Sequence, residues 1–148
     1  MATDMIIEDA AYTMAKRPQS LRQAAAFGLE FGERDAFLRE LLDEFYVEGE
    51  AERRAAMLMD EPPMTTDDRA DACYAAVAEH LALKYRLPVP PWTANPRRFL
   101  NRPFFPAGLE SLKATLLMES PIAFRRRMIF VDADPLYRPR RDTPSFGA

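Results

Sequence analysis

Apolar and polar positions along the first half of the chain repeat at helical intervals, and breakers separate the repeats. Ile6, Ile7, Ala10, Ala11 and Met14 predict a short helix over 5–16, which Pro18 stops. Ser20 is a suitable N-cap for a second helix reaching Phe31, with Gly32 as its terminator. Gly28 and Gly32 are also spaced for one close helix contact plus a C-cap. The strongest periodicity spans 33–48. Phe37, Leu38, Leu41, Leu42, Phe45 and Tyr46 take one face there, and Arg39, Glu40, Asp43 and Glu44 the other. Gly49 breaks it, a shorter helix follows over 50–60, and Pro62 and Pro63 end that segment. Thr65 or Thr66 is then expected to cap a long helix to Arg86, with Ala70, Cys73, Tyr74, Val77, Leu81 and Tyr85 on one stripe.

Beyond Arg86 the pattern changes. Prolines at 88, 90, 91, 96, 103, 106, 121 and 135 forbid a long helix and favour extended or turn geometry. Two short helices still fit. One starts at Pro106 and carries Leu109, Leu112, Leu116 and Leu117; the other is capped by Ser120 with Pro121 at N1 and ends near Arg127. Met128–Val131 reads as a short strand for which no partner strand is evident. The predicted fold is therefore mostly α: a single helical domain of five to seven helices over 1–138, with an extended proline-rich segment. Residues 139–148 read as a mobile tail.

With 148 residues, 48% hydrophobic and 29% charged, the chain has globular composition and can bury a sizeable core. No apolar run approaches the ~20 residues of a membrane span, and the acidic opening lacks a signal-peptide layout, so no membrane partner is expected. Cys73 is the one cysteine, which excludes an internal disulfide and fits a reducing, cytoplasmic setting. The net charge of −3 is unevenly spread: residues 1–86 hold 10 Lys/Arg against 18 Asp/Glu, and residues 87–148 hold 10 against 5. Such a split either holds the halves together or shows faces of opposite sign to a partner.

Familiar enzyme motifs are absent: no phosphate-binding glycine loop, nucleophile elbow or HExxH pattern occurs. His80 is the only histidine and lies seven residues after Cys73, too few ligands for zinc. Asp132 and Asp134 have the spacing of a carboxylate pair that holds a divalent metal, but the following Pro135 suits a turn equally well. Arg125, Arg126 and Arg127 sweep about 200° of a helix, so they cannot all face one ligand. Nucleic-acid binding calls for a basic stripe on a basic chain, whereas the pI here is about 5.3. Trp92, Phe99, Phe104 and Phe105 either lock the proline-rich connection onto the helices or anchor an interface.

Val89-Pro90-Pro91-Trp92, Arg98-Phe99-Leu100, Pro103-Phe104-Phe105, Ser120 to Arg127 and Ile129-Phe130-Val131 together resemble a family of small bacterial proteins. Its members are encoded beside nucleotidyltransferase-like proteins and look like antitoxins of two-gene modules. The likeness covers about residues 87–138. Many relatives carry an N-terminal helix-turn-helix; residues 1–60 here are acidic and depart from it. The resemblance implies a protein-interaction module, not an enzyme, that neutralises a cognate toxin by steric occlusion. The expected partner-binding residues are Trp92, Arg98, Phe104, Arg125, Arg126 and Arg127, with no catalytic residue, metal or cofactor. The alternatives are a metal-dependent enzyme using Asp132 and Asp134, and a nucleic-acid-binding regulator working through the C-terminal arginines.

Overall fold

A computed structural model describes residues 17–106 and 113–139. The predicted helix over 5–16, Leu109 and Leu112, and the tail beyond Pro139 lie outside these residues. The fold is mostly α, with six α-helices among the described residues and an extended proline-rich segment.

α1 (Leu21–Phe31) and α2 (Arg34–Val47) form a tight hairpin. The Ser20 hydroxyl accepts from the Gln23 N–H at 3.1 Å, and Gly32 closes α1 in the left-handed region at φ 77°. Gly28 supplies the close approach: a Cβ there would meet the Arg34 Cα at 3.0 Å. On α2, Phe37, Leu41, Leu42 and Phe45 are buried, as the periodicity requires. α3 (Ala51–Met59) returns across the end of α2. Its Arg54 donates to the carbonyls of Phe45 and Tyr46 at 3.1 and 3.2 Å, satisfying acceptors that the helix end leaves open.

α4 (Asp68–Lys84) is the centre of the molecule. Its predicted stripe understated it, because Ala72, Ala75, Ala76, Ala78 and Ala82 are buried too. Small side chains let α1, α3, a later helix and two 3-10 turns crowd it from several sides. Its cap is Asp67, which accepts from Arg69 and Ala70, not Thr65 or Thr66. Thr65 instead meets the buried Asp71 carboxylate through both its N–H and its hydroxyl, at 2.9 Å each. The helix ends two residues before Arg86. Arg86 takes φ 57°, so that its own N–H reaches Leu83 O and the Leu87 N–H reaches Ala82 O. That pair of bonds is a Schellman ending with arginine where glycine is usual.

The proline-rich segment makes 3-10 turns at Pro91–Ala94 and Pro96–Arg98, both packed on α4. α5 (Lys113–Glu119) and α6 (Ile122–Arg125) follow. Pro121, not Ser120, occupies the cap position of α6. The Ser120 hydroxyl is engaged elsewhere, beside Leu116 O and accepting from the Val131 N–H at 2.9 Å. α6 closes early, and Met128 adopts φ 64° while the Ile129 N–H bonds Phe124 O, a second Schellman ending. The strand expected at Met128–Val131 reduces to one parallel bridge between Phe104 and Ile129. Its missing partner was the proline-flanked Phe104, whose N–H and C=O pair with Met128 O and Phe130 N. The chain then crosses α2, where Tyr46 donates to Leu136 O at 2.8 Å and Arg138 pairs with Asp43 at 3.0 Å.

Candidate partner-binding surface

The six residues expected to form a partner-binding surface have different surroundings. Arg98 is fully buried. Its Nε pairs with Glu61 at 3.1 Å, and its two terminal nitrogens donate to Asp71 O at 3.0 Å and Pro62 O at 2.6 Å. The guanidinium lies 4.9 Å from the Trp92 ring centre. Trp92 itself is half-buried and donates its indole N–H to Leu58 O at 3.0 Å, at the end of α3. Arginine and tryptophan together fasten the proline-rich segment to α3 and α4. Phe104 is half-buried under the Arg69 guanidinium, 4.5 Å from its ring centre.

Arg127 is the second fully buried arginine. It donates to Glu79 Oε1, Ala123 O and Thr93 O, each at 2.7 Å, and sits 4.5 Å from the centre of Phe99. Burial pushes its pKa down and the bond to Glu79 pushes it back up. Arg126 takes the other oxygen of Glu79 at 2.9 Å, yet keeps 47% of its side chain exposed. Arg125 is exposed, and its side chain makes no hydrogen bond or ion pair with the described residues. The roughly 200° sweep of backbone rotation thus divides the triplet into an inward, an edge and an outward arginine.

These contacts account for much of the charge asymmetry. Asp43, Glu61 and Glu79 of the acidic half pair with Arg138, Arg98, Arg126 and Arg127 of the basic half. Of these only Arg127–Glu79 is buried at both ends, and such a pair contributes specific geometry more than net stability, because desolvation opposes the attraction.

The other candidate chemistry has structural employment. Asp132 accepts from the Asp134 N–H at 2.9 Å, a side-chain turn, and Asp134 lies 3.8 Å from Lys84. Among the described residues no three His, Cys, Asp or Glu side chains converge as a metal site. His80 packs edge-on to Phe124, and burial lowers its pKa. Burial raises the Cys73 thiol to about 11, away from nucleophilic character.

What the pattern of residues missed is an apolar ledge at the junction of α5 and α6. Met118 is 81% exposed, Ile122 55% and Leu117 45%. Leu116 beside them is buried. The adjacent Leu116-Leu117-Met118 run was the available signal, since a short helix packed on one side cannot bury three consecutive side chains. Exposed Arg125 follows one turn after Ile122. The chain matches no family model, no curated protein and no solved structure.

Proposed function

We propose that this protein is an interaction module, an antitoxin that neutralises a cognate, nucleotidyltransferase-like toxin by covering part of its surface. The observation that carries the reading is the ledge of Leu117, Met118 and Ile122, apolar side chains held in solvent on a braced part of the fold. Its bracing is specific. Ser120 ties the helix junction to Val131, and Arg127 ties the end of α6 to α4 and to the 3-10 turn at Thr93. A pre-ordered surface loses less entropy on binding than a flexible one. The resemblance of residues 87–138 to antitoxins supplies the class of partner. Of the six arginines and aromatics first assigned to docking, Arg125 and Arg126 keep surface beside the ledge, whereas Arg98 and Arg127 are consumed internally.

The test is co-expression with the product of the neighbouring gene. The parent chain is expected to co-purify with it and to relieve its toxicity. Ile122→Asp should fold, judged by an unchanged thermal melt, and lose both properties. A parent chain that neither binds nor protects overturns the assignment.

A further inference from the structure

Resting on that reading, we infer that the ledge takes an acidic protein surface, apolar side chains ringed by carboxylates. The exposed charged side chains described over 96–132 are Arg97, Arg102, Arg125 and Arg126 against Glu119 and Asp132, the last next to the Val131 that Ser120 binds. Leu100 N–H reaches Arg127 O at 3.4 Å, and Phe99 lies 5.4 Å from the Arg126 guanidinium, so the 97–102 stretch borders α6. The α6 side of the ledge, where Arg125 and Arg126 follow Ile122 by one turn, is therefore basic in a chain whose net charge is −3.

Arg126 has a second property that suits this partner. Glu79 is paired twice, by Arg127 through one oxygen and Arg126 through the other. Arg127 is buried and cannot leave; Arg126 is at the edge and can. When Arg126 turns towards an incoming carboxylate, Glu79 keeps a charge partner and no buried charge is stranded. Arg125, without a partner among the described residues, forms a carboxylate bond with no internal bond to break. The apolar centre favours a protein over nucleic acid, whose phosphates would leave Met118 and Ile122 unused.

The experiment measures the affinity of the full-length chain for the neighbouring gene product at about 50 and about 500 mM salt. The variants are Arg125→Glu, Arg126→Gln and Ile122→Asp. Arg125→Glu is expected to weaken binding roughly tenfold or more and Arg126→Gln by a smaller factor, with both losses shrinking at high salt. Equal thermal melts for Arg125→Glu and the parent exclude a folding defect. If Ile122→Asp abolishes binding while Arg125→Glu and salt leave it unchanged, the acidic partner is overturned and the proposed function stands. If the parent does not bind, both fail. Sedimentation of the chain alone closes the remaining route: a dimer that Ile122→Asp converts to monomer assigns the ledge to a second copy and overturns the inference. So does tighter binding of a random DNA duplex than of the protein.

Discussion

Arg127 and Arg125 are two residues apart, of one type, and opposite in role. Arg127 is enclosed by Glu79, Ala123 O, Thr93 O and the Phe99 ring; Arg125 faces solvent beside an exposed isoleucine. The same contrast separates the two stretches they belong to. Around Trp92 and Arg98, rigid prolines, an aromatic and an arginine look like an interface hot spot, yet they are closed on the protein's own α3 and α4. At the α5–α6 junction the one described aromatic, Phe124, is buried, and the exposed side chains of Leu117, Met118 and Ile122 are aliphatic. The chemistry that suits an intermolecular interface also suits an intramolecular one, because both need desolvated area and directed donors. Composition therefore identifies a fastening surface without saying which side of it is this chain.

Substitutions at arginines and their partners turn that contrast into measurements. The largest effect is expected at Arg127→Met. It strands Glu79 Oε1 and two carbonyls, so chemical denaturation should show a loss on the order of 3–5 kcal/mol. A loss below about 1 kcal/mol would show that Arg126 and water replace it fully.

Next comes the α4 cap. Asp67 accepts from two backbone N–H groups and from Arg34 at 3.0 Å. Asp67→Ala should cost about 0.5–2 kcal/mol at neutral pH. The bond to Arg34, the largest influence, holds the Asp67 carboxyl below the usual range; burial opposes it, and the backbone bonds from Ala70 and Arg69 add to the lowering. Its folded pKa being lower than its unfolded one, the ionised contribution is complete above the ordinary carboxylate pKa. It disappears as pH falls through the depressed value. The stability gap between parent and variant should accordingly narrow in acid. A gap that widens there reverses the sign of the linkage.

Arg86 gives a smaller effect of the other sign. Its left-handed conformation at φ 57° is one that glycine adopts without strain. Arg86→Gly should raise stability by about 0.5–1 kcal/mol, read as a higher melting temperature. A lower melting temperature would mean that the Arg86 side chain contributes more than its backbone costs. Smallest of all, Arg125→Ala should stay within about 0.5 kcal/mol of the parent. A drop comparable with that of Arg127→Met would erase the distinction between the inward and outward arginines.

Much of the helical framework was legible before any coordinates. Ser20 and Gly32 bracket α1, and Gly49 and Pro62 bound the stretch that contains α3, because caps and breakers act within a few residues. The α2 stripe from Phe37 to Phe45 was equally plain, since one helix face was buried and the other solvated. α4 was read less well. Burial on several sides by alanine leaves little amphipathic contrast, and Thr65 competes with Asp67 for the role of cap.

The order of helices, the proline interruption and the uneven charge were properties of the sequence by itself, because each rests on local backbone preference or simple counting. Only tertiary structure decided which arginine meets which carboxylate, that Phe104 pairs with Ile129, and that Trp92 hands its N–H to Leu58. Those contacts join residues from 25 positions apart, as Phe104 with Ile129, to 95 apart, as Arg138 with Asp43. No local rule spans such separations; packing around α4 and α2 brings these residues together, and desolvation favours pairing the donors and acceptors buried there. The exposed ledge has the same origin: Leu117, Met118 and Ile122 face solvent because Leu116, Ala123 and Phe124 take the inward positions of that junction.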